Sequence, residues 1–261
     1  IFLENFTKQI NNYQNQDQKK WLIHCLNWKT RYPTIKNEDY KQKKFVNPYA
    51  FFGHLSNLLD NNSITVVDTG GNETWALQAL KVKKGQKLFS GFGHQPMGYA
   101  LPAAISAAIL KKNSKIISIN GDAGIQLNIQ ELQTMVANKL PVKIIVLNNN
   151  GHGIIKQFQE LYLNKRYEAT VPSKGVTNPN FKKIAHAYGI NYSEIKNNKD
   201  VEKILTKVLK SKKLEFINVI IKPNQKIIPK LQFGKPIEDL SPLLPRSELK
   251  KNMIIETLDQ I

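Results

Sequence analysis

Residues 116–155 read IISINGDAGIQLNIQELQTMVANKLPVKIIVLNNNGHGII. A short apolar run, Ile116–Asn120, stops at Gly121-Asp122-Ala123-Gly124. An amphipathic segment follows, in which Ile125, Ile129, Leu132 and Val136 share one face at helical spacing. A second apolar run, Val142–Leu147, then ends at Asn148-Asn149-Asn150-Gly151. Two buried strands joined by a crossover helix give this pattern, and such a unit builds a parallel sheet. Ligands of open parallel sheets sit beyond the carboxyl ends of the strands. Asp122 and Asn149 are therefore expected at one rim. Taken singly, each is a plain strand-end turn, since Asn and Gly tolerate turn conformations. Taken together, an acidic oxygen, an amide oxygen and exposed glycine backbone suit a hard cation holding a phosphorylated ligand. The residues by themselves carry the reading no further.

Working outward, the alternation continues on both sides. Asn47-Pro48 reads as the start of a helix that runs through Phe51, Leu55 and Leu58 and ends at Asn61-Asn62. Ser63–Val67 is a β-branched strand that enters the turn Asp68-Thr69-Gly70-Gly71-Asn72, a second candidate phosphate rim. Glu73–Leu80 is expected to be helical and Lys87–Phe89 a short strand. Ser90–Tyr99 carries three glycines and Pro96 around Met97, which indicates a shaped loop. The Ala-rich Ala100–Leu110 is a helix suited to close packing on a sheet. Beyond Gly151 the chain reads as loosely helical to Tyr162, and Asn164–Gly175 as polar and mobile. Asn178-Pro179 starts a helix over Asn180–Tyr188. A strand at Ile190–Ile195, a helix at Asp200–Leu209 and a strand at Glu215–Ile221 complete an α/β, doubly wound, mainly parallel sheet with helices on both faces.

The flanks read differently. Residues 1–45 hold helical stretches at Phe2–Tyr13 and Lys20–Leu26 but too few apolar positions to fold alone. They are expected to be a linker from an upstream domain. The compact domain spans residues 46–222. Residues 223–261, with five prolines and a helical stretch only at Glu248–Leu258, are expected to drape over the domain or its site. The start without Met reads as a fragment, an excised domain or a processed product.

Hydrophobic content of 41% supports a real core. No apolar run approaches the roughly 20 residues that cross a membrane. A single cysteine, Cys25, excludes an internal disulfide and fits a reducing, cytoplasmic setting. His24 beside Cys25 has no companions for a metal site, and His54 and His186 read as helix-surface residues. The net charge of +18 invites a nucleic-acid reading. Arg occurs only at 31, 166 and 246, however, and Lys is spread along the whole chain, often beside Asn. Lys offers little bidentate recognition, so the excess reads as compositional bias and nucleic acid is not the expected partner.

The pattern Gly121-Asp122-Ala123 followed after a crossover by Asn148-Asn149 resembles the cofactor motif of thiamine-diphosphate-dependent enzymes. PMGYALPAA (96–104), QLNIQEL (126–132), VLNNNGHGIIKQFQ (146–159) and the tail PNQKIIPKLQFGKPIEDLSPLLPR (223–246) are similar to the acetolactate synthase group. That resemblance implies the fold and a cofactor of thiamine diphosphate with Mg²⁺. Asp122, Asn149 and the carbonyl of Gly151 would hold the ion. Gly121, Ala123 and Gly124 would lie along the diphosphate, the last two offering backbone N–H groups, and Gly71 and Asn72 would meet it from the other rim. Met97 would prop the bent cofactor and the Gln95 backbone would meet its pyrimidine. His94 and His152 flank the site loops as candidate substrate contacts. Ala123 replaces a commoner glycine, and Phe158 stands where relatives often have Trp, which leaves the acceptor open.

The implied reaction is carboligation. A 2-oxo acid, pyruvate, is decarboxylated, and its two-carbon unit is joined to a second pyruvate or to a keto-sugar nucleotide. The resemblance also implies a pyrimidine-binding domain, in the same longer chain or on a partner subunit, that contributes a glutamate. Glu73 and Glu131 sit on the wrong motifs to replace it. A middle domain holding FAD in some relatives, and a homo-oligomer, are implied in the same way. Two other readings stand beside this one: a non-catalytic module binding thiamine diphosphate or Mg²⁺, and a basic binder of nucleic acid or anionic surfaces.

Overall fold

The computed structural model describes residues 1–11 and 16–258. The sequence-predicted helical position Tyr13 and the end of the tail, residues 259–261, lie outside them. The chain divides into two compact units, Ile1–Lys36 and Asn37–Ile261. The first holds α1 (Phe2–Asn11) and α2 (Gln16–Arg31). On α1, Phe2, Leu3, Phe6 and Ile10 line an exposed apolar stripe, and on α2 Trp21 and Trp28 meet edge to face at 5.6 Å. α2 is far longer than the predicted Lys20–Leu26, because its polar ends carry no breaker.

The second unit begins with a short α3 (Asn37–Tyr40) inside the stretch expected to be irregular, then α4 (Pro48–Leu58). Asn47 caps α4 by accepting from the backbone N–H groups of Tyr49 and Ala50, with Pro48 in the first turn. Then follow β1 (Ser63–Val67), α5 (Gly71–Ala79), β2 (Lys87–Phe89), α6 (Ala100–Leu110) and β3 (Lys115–Gly121). The β3 to β4 crossover is a 3₁₀ turn, Gly124–Asn128, and then α7 (Glu131–Ala137), rather than one helix. After β4 (Lys143–Asn148) come α8 (Gly153–Tyr162), α9 (Phe181–Ala187), β5 (Asn191–Ile195), α10 (Val201–Lys210) and β6 (Glu215–Ile220). A small antiparallel hairpin, β7 (Lys230–Leu231) with β8 (Leu240–Ser241), and α11 (Arg246–Asn252) finish the described chain.

The six main strands run in the order β2-β1-β3-β4-β6-β5, every neighbour parallel. The sheet is buried on both faces, so its central strands read as continuous apolar runs. Ile64, Val66, Ile116, Ile144, Val146 and Phe216 form one core with Ala104, Leu132, Met135 and Ala185 of α6, α7 and α9. The alternate positions, among them Val67, Ile117, Ile119, Ile145 and Leu147, face the other side, where α4, α5 and α10 pack. The chain grows from β1 outward to β2, then returns to the other side of β1 with β3. That switch point, between β1 and β3, is where an open α/β sheet leaves a crevice.

The tail crosses this second unit as a strap. Gln157 of α8 donates to Ile227 O (3.2 Å) and accepts from Ile227 N (2.9 Å). The Tyr49 hydroxyl donates to Ile228 O (2.6 Å) and accepts from Ile228 N (2.8 Å). Lys226 pairs with Glu160, and Tyr162 accepts from Phe233 N (2.9 Å). The residues 164–175, expected to be mobile, are instead tied back. Buried Thr170 donates to Gln159 Oε1 (2.7 Å) and its carbonyl accepts from His152 N (3.1 Å).

Lysine-bearing turns lead into the strands at the amino-terminal rim, among them Lys83, Lys84, Lys111, Lys112 and Lys139. At that rim Lys143 is 1% exposed, and its Nζ donates to Lys213 O (2.5 Å) and Pro141 O (3.2 Å). Burial pushes it down to about 8, against the opposing pull of nearby Glu215. An unfolded Lys titrates near 10.4. Between about pH 8 and pH 10 the unfolded state therefore binds more protons, and stability rises with pH. In Lys143→Met that rise is lost, so the difference in urea-unfolding free energy between variant and wild type shifts between pH 7 and pH 10. A constant difference contradicts the assignment.

Candidate cofactor site

Three strands deliver three turns to the switch point. β1 ends at Asp68-Thr69-Gly70, with α5 starting at Gly71. β3 ends at Gly121-Asp122-Ala123, and β4 at Asn148-Asn149-Asn150-Gly151-His152 before α8. The loop after β2 brings Gln95 and Met97. Together they enclose a cleft of about 260 Å³, whose apolar walls are Trp75, Met97, Leu147, Ile154, Ile155 and Ile221. Of the predicted site residues, Gly71, Asn72, Gln95, Met97, Gly121, Asp122, Ala123, Gly124, Asn149, Gly151 and His152 all line it. His94 does not; its side chain is exposed. Glu73 and Glu131 also lie outside the lining, and Glu73 is buried with Oε1 lacking a partner.

Asp122 is 2% exposed. Its Oδ1 accepts from Ala123 N (3.0 Å), and its Oδ2 accepts from Gly151 N (3.1 Å) and Asn178 Nδ2 (2.7 Å). These donors are all neutral. Burial pushes its pKa up, and the hydrogen bonds pull only partly against that. Burial among neutral partners disfavours the ionised carboxylate, and a cation beside it would favour that form again. The Ala123 N–H, expected to face a diphosphate, is turned toward this carboxylate.

Asn149 is buried beside it, and its amide has two settings. With Oδ1 inward, that oxygen lies 2.7 Å from Gly151 O and 3.3 Å from Asp122 Oδ1, so three acceptors converge with no proton between them. With the amide turned, Nδ2 donates to both. Neighbouring ligands of an octahedral Mg²⁺ with bonds of about 2.1 Å lie about 3 Å apart. The oxygen-inward setting matches that spacing, and the turned setting satisfies the pocket without an ion. The donor set of carboxylate, amide and carbonyl oxygens suits a hard ion. Among the described residues no group of three or more His, Cys, Asp or Glu gathers to hold a metal, at this cleft or elsewhere.

The glycines here answer to contacts. A Cβ on Gly124 would lie 2.2 Å from Asp68 Oδ2, and one on Gly151 would lie 2.6 Å from Thr170 O. A Cβ on Gly71 would meet the Trp75 ring at 3.2 Å. Gln95 holds a left-handed φ of 46° between Gly93 and Gly98, a strained setting that fixes how its backbone meets the cleft. The sequence reading left Asp68 as a turn residue and gave Trp75 no role. Asp68 is fully buried; its carboxylate accepts from Gly98 N (3.1 Å) and Tyr99 N (2.9 Å), joining the β1 rim to the Met97 loop. Burial raises its pKa, while these backbone donors oppose the rise. Asp followed by Thr-Gly-Gly at a strand end was the available signal. Trp75 gave none beyond helical spacing.

A doubly wound sheet with a phosphate-compatible, oxygen-lined cleft at its switch point defines a class of cofactor-binding α/β domains. Residues 68–219 match the family model described as thiamine pyrophosphate enzyme, C-terminal TPP binding domain. The chain belongs to that family. It is 31% identical to the acetolactate synthase large subunit of Cyanidium caldarium, over 89% of this chain and 39% of that protein. It is 30% identical to the large subunit of acetolactate synthase isozyme 1 of Escherichia coli, over 71% of this chain and 33% of that one. The mitochondrial catalytic subunit of acetolactate synthase from Saccharomyces cerevisiae is 28% identical, over 89% and 34% respectively. The chain thus spans well under half the length of these relatives.

Asp68 is pinned by two backbone N–H groups and cannot swing aside for a methyl group on Gly124. Gly124→Ala is expected to lower unfolding free energy by about 1–3 kcal/mol, the usual cost of overpacking. Urea denaturation measures it; a variant as stable as wild type contradicts the contact.

Proposed function

We propose that this chain is the diphosphate- and Mg²⁺-binding part of a thiamine-diphosphate-dependent enzyme. That enzyme decarboxylates a 2-oxo acid, pyruvate, and ligates the two-carbon unit to a second carbonyl compound, a second pyruvate or a keto-sugar. The observation that carries this reading is the approach of the buried Asn149 amide to Gly151 O (2.7 Å) and Asp122 Oδ1 (3.3 Å) beside a glycine-lined cleft, an oxygen set once that amide is turned oxygen-inward. Bound thiamine diphosphate supplies the electron sink for carbon–carbon cleavage and formation.

The chain's own residues divide the work. Asp122, Asn149 and the Gly151 carbonyl hold Mg²⁺. Gly121, Gly124, Gly71 and Asn72 border the diphosphate, with Asn72 anchored by its donation to Asp68 O (2.6 Å). Met97 and the Gln95 backbone shape the far end. Trp75, Leu147, Ile154 and Ile155 exclude water, which strengthens the electrostatic contacts inside. His152, in the lining, contacts substrate; His94, outside it, does so only if the loop 90–99 moves.

No glutamate lines the cleft among the described residues. The reading therefore assigns the acid–base group at the pyrimidine to a pyrimidine-binding domain, on a longer version of this chain or a second subunit of a homo-oligomer. In this scheme residues 46–222 are the cofactor domain, 223–261 its covering tail and 1–45 the connection to a domain upstream. Any FAD belongs outside this chain, and the setting is the cytoplasm. The same absence of a glutamate favours one second reading, a non-catalytic module that binds thiamine diphosphate with Mg²⁺.

In the assembled protein, Asp122→Ala and Asn149→Ala are each expected to abolish Mg²⁺-dependent binding of thiamine diphosphate by calorimetry, as does removing Mg²⁺ with a chelator. Unchanged affinity in both variants removes the site assignment.

A further inference from the structure

Asn178 lies between the 3₁₀ turn Pro172–Lys174 and α9. Asn178-Pro179 reads in sequence as a helix start, but Asn180 takes the cap, its Oδ1 accepting from Lys183 N (3.1 Å). The Asn178 side chain is thereby released from capping and reaches back to the β3 turn. Its Nδ2 donates to Asp122 Oδ2 at 2.7 Å, the shortest hydrogen bond that carboxylate receives, and lies 3.4 Å from Asn150 Oδ1. Its own oxygen accepts from Gln126 Nε2 (3.1 Å), which also donates to Asp122 O (2.9 Å).

This chain of amides has one orientation. Gln126 presents its NH₂ to two oxygens, so Asn178 must turn its oxygen to Gln126 and its NH₂ to Asp122. We propose that Asn178, oriented by Gln126, is a positioning residue that sets how the Asp122 carboxylate faces the cation. The inference deepens the functional reading above and rests on it.

Three features support it. A carboxylate rotates about its Cβ–Cγ bond unless one oxygen is fixed. Here Oδ2 is held by two donors, Gly151 N and Asn178 Nδ2, which leaves Oδ1 turned toward Asn149. The donor is also neutral. In a chain this rich in lysine, an ammonium at this position would cancel the carboxylate's charge and compete with the metal. An amide fixes the geometry and leaves the charge to the ion. Finally, groups that hydrogen-bond a ligating carboxylate tune metal affinity, and losing one typically weakens it 10–100-fold.

The test uses the full-length protein with saturating thiamine diphosphate and Mn²⁺ as the probe, read by electron paramagnetic resonance. Asn178→Ala is expected to weaken Mn²⁺ binding 10–100-fold, while the melting temperature without metal stays close to wild type. Gln126→Ala is expected to weaken it less, and the double variant no more than Asn178→Ala alone. Asn178→Leu, which keeps the volume without the donor, should match Asn178→Ala and carries the test if the Ala variant does not fold. Wild-type Mn²⁺ affinity in either folded variant overturns the proposal and leaves the functional reading standing. Loss of the melting transition in both also overturns it, making Asn178 a folding residue. A wild-type protein that binds no Mn²⁺ with thiamine diphosphate overturns the functional reading and this inference with it.

Discussion

A carboxylate buried among neutral donors governs this site. Asp122 is removed from water, raised in pKa by that burial, and given hydrogen bonds but no cationic side chain. An isolated buried charge costs several kcal/mol, and hydrogen bonds from neutral groups recover only part of it. Under the proposed function, a bound cation would offset that cost. The surrounding structure follows from holding that carboxylate still. Gly151 brings its N–H to Oδ2 and its carbonyl to the opposite side, and the Thr170 backbone lies against it where a side chain would stand. Asp68 plays the parallel part on the neighbouring strand. It ties β1 to the Met97 loop and fills the space that keeps residue 124 a glycine.

The sheet makes this convergence possible. Because β1, β3 and β4 are parallel neighbours, their carboxyl ends deliver turns to one rim without further bending of the chain. α8 then leaves the β4 turn as one wall of the cleft. Gln157, Glu160 and Tyr162 on α8 are bound by the strap at residues 226–233. The position of that wall is thus set by a segment distant in sequence.

Much of this was legible in the sequence, and for identifiable reasons. β3 and β4 are apolar runs bounded by glycine-bearing turns, so their type, their ends and the meeting of Asp122 with Asn149 follow from local pattern and the geometry of parallel sheets. Asn47-Pro48 marked its helix because capping is a local interaction. What escaped was non-local or ambiguous. Asn178-Pro179 read as a helix start because Asn-Pro has that local meaning, and Asn180 supplies the cap. Nothing nearby shows that the spare side chain reaches across to Asp122. The crossover read as one helix because Ile125, Ile129, Leu132 and Val136 do face the same core; periodicity does not register the break between the 3₁₀ turn and α7. The segment 164–175 read as mobile because it is polar, and its ties through Thr170, Gln159 and His152 are tertiary.

The direct measurement of the central claim is anomalous scattering from crystals grown with Mn²⁺ and thiamine diphosphate. The account predicts one strong manganese peak about 2.1–2.2 Å from Asp122 Oδ1, Asn149 Oδ1 and Gly151 O. It also predicts the Asn149 amide turned oxygen-inward and diphosphate oxygens completing the shell. A cleft with no peak there, or a peak coordinated by other residues, would contradict it.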